Sequence, residues 1–192
     1  MRLKRISDQT DELISVEAVK IDRGLPLDFE DHDVLIEGFI RTARNFVETK
    51  LRGRVTLLQT WLQTELEFRD CMRLGALPAV EILSVKYIDT DGEQQTLPTT
   101  EYALDNNGDL HYLRKAYGKT WPAVREQYNS VEITYTAGHS PYEIELERIK
   151  TAMMLIIGHL YETREATAPV RLEEVAFGVD ALLDPISLRH LL

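Results

Sequence analysis

The hydrophobic period of this sequence changes twice along its 192 residues, and those two changes limit the folds open to it. Between Asp31 and Gly53 the residues Leu35, Ile36, Phe39, Ile40, Ala43, Phe46, Val47 and Leu51 recur with the 3.6-residue period of one helix face. Asp31 or Asp33 is placed to cap that helix, and Gly53 stands where a C-terminal cap belongs. From Leu58 to Phe68 the period falls to two. Leu58, Thr60, Leu62, Thr64, Leu66 and Phe68 alternate with residues that are polar apart from Trp61, the signature of a strand with one apolar face.

The β pattern continues through Val80–Ile88, Gln94–Leu97, Tyr102–Leu104, Leu110–Leu113 and Val131–Tyr135. Asp91-Gly92 and the run Asn106 to Asp109 fall between consecutive candidates and predict antiparallel hairpins. Pro78, Pro98 and Pro122 lie between runs, where a missing backbone donor does least harm. After Tyr135 the helical period returns. Ser140 and Pro141 read as an N-cap and first helical residue, and Ile144, Ile149, Met153, Ile156, Ile157 and Leu160 form a stripe widened by Leu146, Ala152 and Leu155.

The chain therefore divides into a polar arm (1–14), a helical segment (15–53), an antiparallel β region (54–137), a long central helix (138–165) and a C-terminal arm (166–192). Within the helical segment, Ser15 caps a short helix that Gly24 and Pro26 end. In the C-terminal arm, Gly178 and Pro185 predict an extended or briefly helical course. The class is α+β.

With 44% hydrophobic residues the chain has enough apolar side chain for its own core. Its longest purely apolar run, Met153 to Ile157, is far short of the roughly 20 residues that span a bilayer, so no membrane contact is expected. The N-terminus is basic but continues into Ser7-Asp8-Gln9-Thr10-Asp11-Glu12, which leaves no signal-peptide apolar region and predicts a protein that stays in the cytoplasm. Cys71 is a lone cysteine, fit for packing and not for a disulfide framework. A net charge of −10 argues against a surface that grips nucleic-acid backbone.

Catalytic signatures are missing: there is no glycine-rich phosphate loop, nucleophile elbow or zincin motif. His32, His111, His139 and His190 stand alone in sequence. His159 and Glu162, at i and i+3, can share a metal ion, and a metal- or small-molecule-binding domain using them with His139 is one alternative, although a working site needs at least three ligands. The acidic runs around Asp8, Asp11 and Glu12 and around Glu30, Asp31 and Asp33 lack the spacing of a calcium loop and read as solvated charge. Trp61 and Trp121 offer stacking surfaces, but Arg114, Lys115 and Lys119 are the only basic cluster near them. No catalytic residue, metal or cofactor is expected.

Several segments in order carry a resemblance: Asp31 to Glu48, Gln59-Thr60-Trp61, Pro78 to Asp89, Thr120-Trp121-Pro122, Val131 to Gly138, His159 to Glu165 and Phe177 to Leu183. Together the chain from about Ser15 onward resembles the head-tail connector (adaptor) proteins of long-tailed bacteriophages and prophages. The opening helix is less apolar than the family's usual one, and Met1 to Leu13 is an additional polar arm. The resemblance implies a helical bundle built from both chain ends with the β region inserted between them. It implies a non-enzymatic virion subunit that forms a homo-oligomeric ring of about a dozen copies. That ring would dock on the portal protein, meet a head-completion (stopper) or tail protein on its other side, and pass double-stranded DNA through its lumen without sequence-specific binding. Assembly would take place in the bacterial host cytoplasm. An acidic surface suits a passage along which DNA must slide without sticking. Another neck or tail component, such as a tail terminator, would share this α+β character.

The residues expected to meet the portal or a neighbouring subunit are Phe177, Val179, Leu182 and Leu183, with Arg41, Arg44 and Glu48 in charge contacts between subunits. For the C-terminal arm, folding back to close the helical core is the competing expectation.

Overall fold

The computed structural model describes residues 1–7, 12–53, 55–139, 144–163 and 172–188. The chain forms two compact units: a β unit from Met1–Gln9 and Leu57–His139, and a helical unit from Thr10–Thr56 and Ser140–Leu192. The described residues hold four α-helices and eight strands.

In the helical unit, α1 (Val16–Arg23) starts where Ser15 accepts a hydrogen bond from the Ala18 amide at 3.1 Å and ends on Gly24, whose φ of 67° is one that glycine adopts at little cost. Helix α2 (Asp33–Lys50) begins differently from expectation. His32 is its N-cap residue and makes no side-chain cap, while Asp33 in the first turn pairs with the buried Lys20 at 2.6 Å. Along helix α3 (Ile144–Glu162) Leu146, Ile149, Ala152, Met153 and Ile157 are buried as anticipated, whereas Leu155, expected to widen the stripe, is 44% exposed. The expected caps of this helix, Ser140 and Pro141, lie outside the described residues. Helix α4 (Leu172–Leu183) runs 12 residues where an extended or briefly helical arm was expected. Gly178 costs a helix only about 1 kcal/mol relative to alanine, less than burial of an aliphatic side chain returns, and Pro185 falls beyond the helix in a short 3-10 turn.

One core unites the unit: Val19 of α1, Ile36, Ile40, Ala43 and Val47 of α2, Leu146, Ile149, Ala152, Met153 and Ile157 of α3, and Val179 and Leu183 of α4. The apolar stripe of α2 is narrower than its sequence suggests. Leu35 and Phe46 lie 38% and 43% exposed, because they stand at the rim of the arc centred on Ile36, Ala43 and Val47. A methyl group on Gly178 would meet Leu155 Cδ1 at 3.7 Å, an ordinary contact. Gly178→Ala is therefore expected to stabilise the fold by roughly 0.5–1 kcal/mol, read as a rise in the denaturant midpoint.

The β unit contains β1 (Arg2–Arg5), β2 (Gln59–Glu65), β3 (Cys71–Arg73), β4 (Ala79–Ile88), β5 (Gln94–Leu97), β6 (Tyr102–Asp105), β7 (Tyr112–Lys115) and β8 (Val131–Ala137). A five-stranded sheet has the order β1-β2-β8-β4-β5 and a three-stranded sheet the order β3-β7-β6, with every pair antiparallel. The Asp91-Gly92 turn joins β4 to β5, and the Asn106 to Asp109 turn joins β6 to β7, as their chemistry predicts. The expected polar arm contains β1, a strand held by backbone pairing with β2.

Strand β2 turns the opposite face inward from the one its pattern suggests. Gln59 and Gln63 are 2% and 0% exposed, while Leu58 and Leu66 are 48% and 49% exposed. Gln63 is buried at little cost because its amide serves the backbone at the end of β3 and just beyond it. Nε2 donates to the Arg73 carbonyl at 2.8 Å, and Oε1 accepts from the Gly75 amide at 2.9 Å.

Candidate functional site

The three charged residues expected between subunits all have partners within the chain, two of them close. Arg44, buried to 6% exposure, sits 3.1 Å from the Glu12 carboxylate, and Glu48 accepts from the Thr56 amide and hydroxyl at 3.2 and 2.9 Å. Arg41 remains at the surface with only a loose pair to Glu37 at 3.7 Å. Sequence reasoning missed the surface beside it. Val34 (80% exposed), Leu35 and Phe46 share the outward arc of α2 with Thr42, Asn45 and Thr49, none of them charged. The signal was present, since a wheel centred on Ile36, Ile40, Ala43 and Val47 leaves those positions outside.

Val179 and Leu183 are 1% and 2% exposed within the chain's own core, and Leu182 packs partly buried against it. Their burial favours closure of the helical core over an arm held free for a partner. The Phe177 side chain lies outside the described residues. Asp180, on the same helix, accepts from Lys50 at 3.0 Å and ties α4 to α2.

Glu162 binds Arg23 of α1 at 2.9 Å, and His139 belongs to the β unit. Among the described residues no group of three or more His, Cys, Asp or Glu is placed to hold a metal ion. His111 is a core residue whose Nδ1 accepts from the Ala79 amide at 2.9 Å. Cys71 lies exposed, with its sulfur 3.1 Å from Arg114 Nη1. An open cleft of about 530 Å³ in the β unit is lined by Leu66, Glu67, Val124, Glu126, Gln127 and Tyr128, a set with carboxylates but no nucleophile or histidine beside them.

Every cation of the basic cluster near Trp121 is matched by a carboxylate. Arg114 pairs with Asp105 at 2.6 Å, Lys115 with Asp70 at 2.8 Å and Lys119 with Glu101 at 2.8 Å. The hydrogen bond from Lys115, then its charge, holds the Asp70 carboxyl below its ordinary range. Trp121 stacks on Phe68 with ring centres 4.6 Å apart, and its indole N–H donates to the Arg69 carbonyl at 2.9 Å. The ring face is thus used in packing, and the surface around it carries little net positive charge. Converting Asp70, Glu101 and Asp105 to their amides would expose three cations. The unaltered chain is expected to pass through immobilised duplex DNA unretained. The triple variant is expected to bind with a log–log salt slope of roughly −2.7, from about 0.9 per phosphate neutralised.

No protein-family model and no curated protein sequence matches the chain. Solved structures do. A chain from the neck of an empty gene transfer agent (GTA) particle, computed with C6 symmetry, superposes with a TM-score of 0.77 at 19% identity, over 97% of this chain and 95% of that one. A chain from the virion of a native GTA particle gives 0.76 at 19% identity over the same shares. One from the neck of a native GTA particle, computed with C12 symmetry, gives 0.69 at 20% identity, again over 97% and 95%. Helices and antiparallel sheets alike fall within the shared region, so this chain has, nearly end to end, the fold of a neck chain of a phage-like particle.

Proposed function

We propose that this chain is a structural connector subunit of a tailed-phage-like particle. It assembles into a ring of about a dozen copies on the portal, joins the head to the head-completion or tail proteins, and lets DNA pass through its lumen without catalysis. The observation that carries the reading is the likeness to neck chains, which spans 97% of this chain and 95% of the other. The C6 and C12 symmetries of those necks suit a cyclic ring. The net charge of −10 and the carboxylate-matched cations of the β unit suit a passage that DNA must leave freely. Ring contacts are of the head-to-tail kind, so an isolated subunit can stay monomeric until the portal templates it.

The test is co-purification of the full chain with the portal protein of the same particle, followed by negative-stain microscopy. An added ring on one end of the portal is expected at micromolar subunit. A portal that stays bare would overturn the reading, and a ring that instead caps the head-facing end of separately purified tails would identify a terminator.

A further inference from the structure

We infer that neighbouring copies of this chain join through their five-stranded sheets, with β5 of one copy taking β1 of the next as a parallel strand. The inference rests on the ring proposed above and names the contact that closes it.

Among the described residues no strand pairs with the outer edge of β1 or of β5, and Arg2, Leu3 and Lys4 on β1 and Gln94, Gln95 and Thr96 on β5 are all exposed. The hydrogen-bond ladder tells which backbone groups those edges offer. Ile6 donates to the Thr60 carbonyl at 2.9 Å, in phase with the pairs Lys4↔Leu62 and Arg2↔Thr64, so Leu3 and Arg5 direct their N–H and C=O away from β2. On the other edge Asp89 donates to the Glu93 carbonyl at 3.0 Å, in phase with Tyr87↔Gln95 and Val85↔Leu97, which leaves Gln94 and Thr96 directed outward.

Five antiparallel strands make β1 and β5 run in the same direction, so a head-to-tail join between copies is parallel. In a parallel pair, a residue whose backbone groups face the partner sits beside one whose groups face away, with side chains on a common face. Leu3 beside Gln95 meets both conditions. Leu3 shares its face with Gln63 and Ile133, and Gln95 shares the same face through Tyr87 and Val131. An antiparallel join would set Leu3 or Arg5 opposite Gln94 or Thr96, which belong to the other face, and would turn one sheet over.

Charge selects the same pairing. Strand β1 carries Arg2, Lys4 and Arg5, while the turn leading into β5 carries Asp89, Asp91 and Glu93. The parallel alignment brings the start of β1, with Arg2, beside that acidic turn. Two β1 edges would repel each other, so the closed β1-to-β1 dimer that an open edge invites is disfavoured and the head-to-tail contact that generates rings remains.

The full chain is tested on its portal with two variants. In a Cys71→Ser background, Lys4→Cys with Thr96→Cys places thiols on neighbouring strands about 4.8 Å apart. A short bismaleimide is expected to link them into a ladder of covalent oligomers in assembled rings, while either single cysteine gives none. Thr96→Pro removes an outward N–H and no bond to β4, so the thermal midpoint is expected to stay within a few degrees while ring yield falls by about tenfold or more. Rings seen by microscopy without a cross-linked ladder, or rings formed as well by Thr96→Pro, would overturn the edge join and leave the connector reading standing. If the unaltered chain forms no ring at all, that reading falls and the join falls with it.

Discussion

Gly138→Ala is expected to cost roughly 3–5 kcal/mol, a large share of the stability of a domain of this size. Gly138 follows β8 with φ at 134°, a region that side-chain-bearing residues rarely enter. A Cβ there would stand 2.0 Å from the Leu57 carbonyl oxygen, 2.2 Å from its carbon and 2.6 Å from the Leu58 nitrogen. Those are backbone atoms, so no rotamer change relieves the clash. The Gly138 amide also donates to the Pro78 carbonyl at 2.9 Å, so moving the glycine away breaks that bond as well. Because natural domains are stable by only about 5–15 kcal/mol, such a loss reads out as poor soluble expression or a midpoint lowered by roughly 10 °C or more in circular dichroism. Gly108→Ala is the control: nothing lies within 4 Å of its added carbon, and its midpoint should change little. A Gly138→Ala protein that melts with the unaltered chain would refute the close approach.

The parts of this fold that were legible in sequence are those held by local chemistry. The period of α2 and α3, the Ser15 cap and the two hairpin turns all depend on residues within a few positions of one another, and each appears in the structure. Strand β1 was hidden because Arg-Leu-Lys-Arg has no apolar face to display, its order coming from backbone bonds to a strand some sixty residues away. The inward face of β2 was misread for a related reason. Gln63 belongs inside only because Arg73 and Gly75 present unpaired backbone groups there, which no alternation pattern encodes. Interaction surfaces were least legible. Arg44 and Glu48 look like free charges on a helix until Glu12 and Thr56 are brought to them. Leu35 and Phe46 look like core until the arc of α2 is fixed by its neighbours.

The same buried polar network gives the second large effect. Tyr135 is fully buried, and its hydroxyl accepts from the Ala76 amide at 2.9 Å and lies 3.5 Å from Gln63 Oε1. Burial, only partly offset by hydrogen bonds from Ala76 and Gly75, pushes its phenol up to about 12. An unfolded tyrosine titrates near 10, so the folded state holds the proton more tightly than the unfolded state does. The stabilisation this represents is fully present below pH 10 and is lost as pH rises through 12. A shift of about two units corresponds to roughly 2–3 kcal/mol. Urea midpoints of the unaltered chain should therefore fall between pH 10 and 12. Tyr135→Phe should behave differently at both ends. At pH 7 it is expected to be less stable by about 1–3 kcal/mol, because the Ala76 amide loses its acceptor inside the core. Across the alkaline range it should lose most of the slope, with Tyr102, also raised by burial, contributing what remains. A phenylalanine variant that kept the full alkaline slope would show that Tyr135 does not carry it. One as stable as the parent at pH 7 would show that the Ala76 amide finds another acceptor.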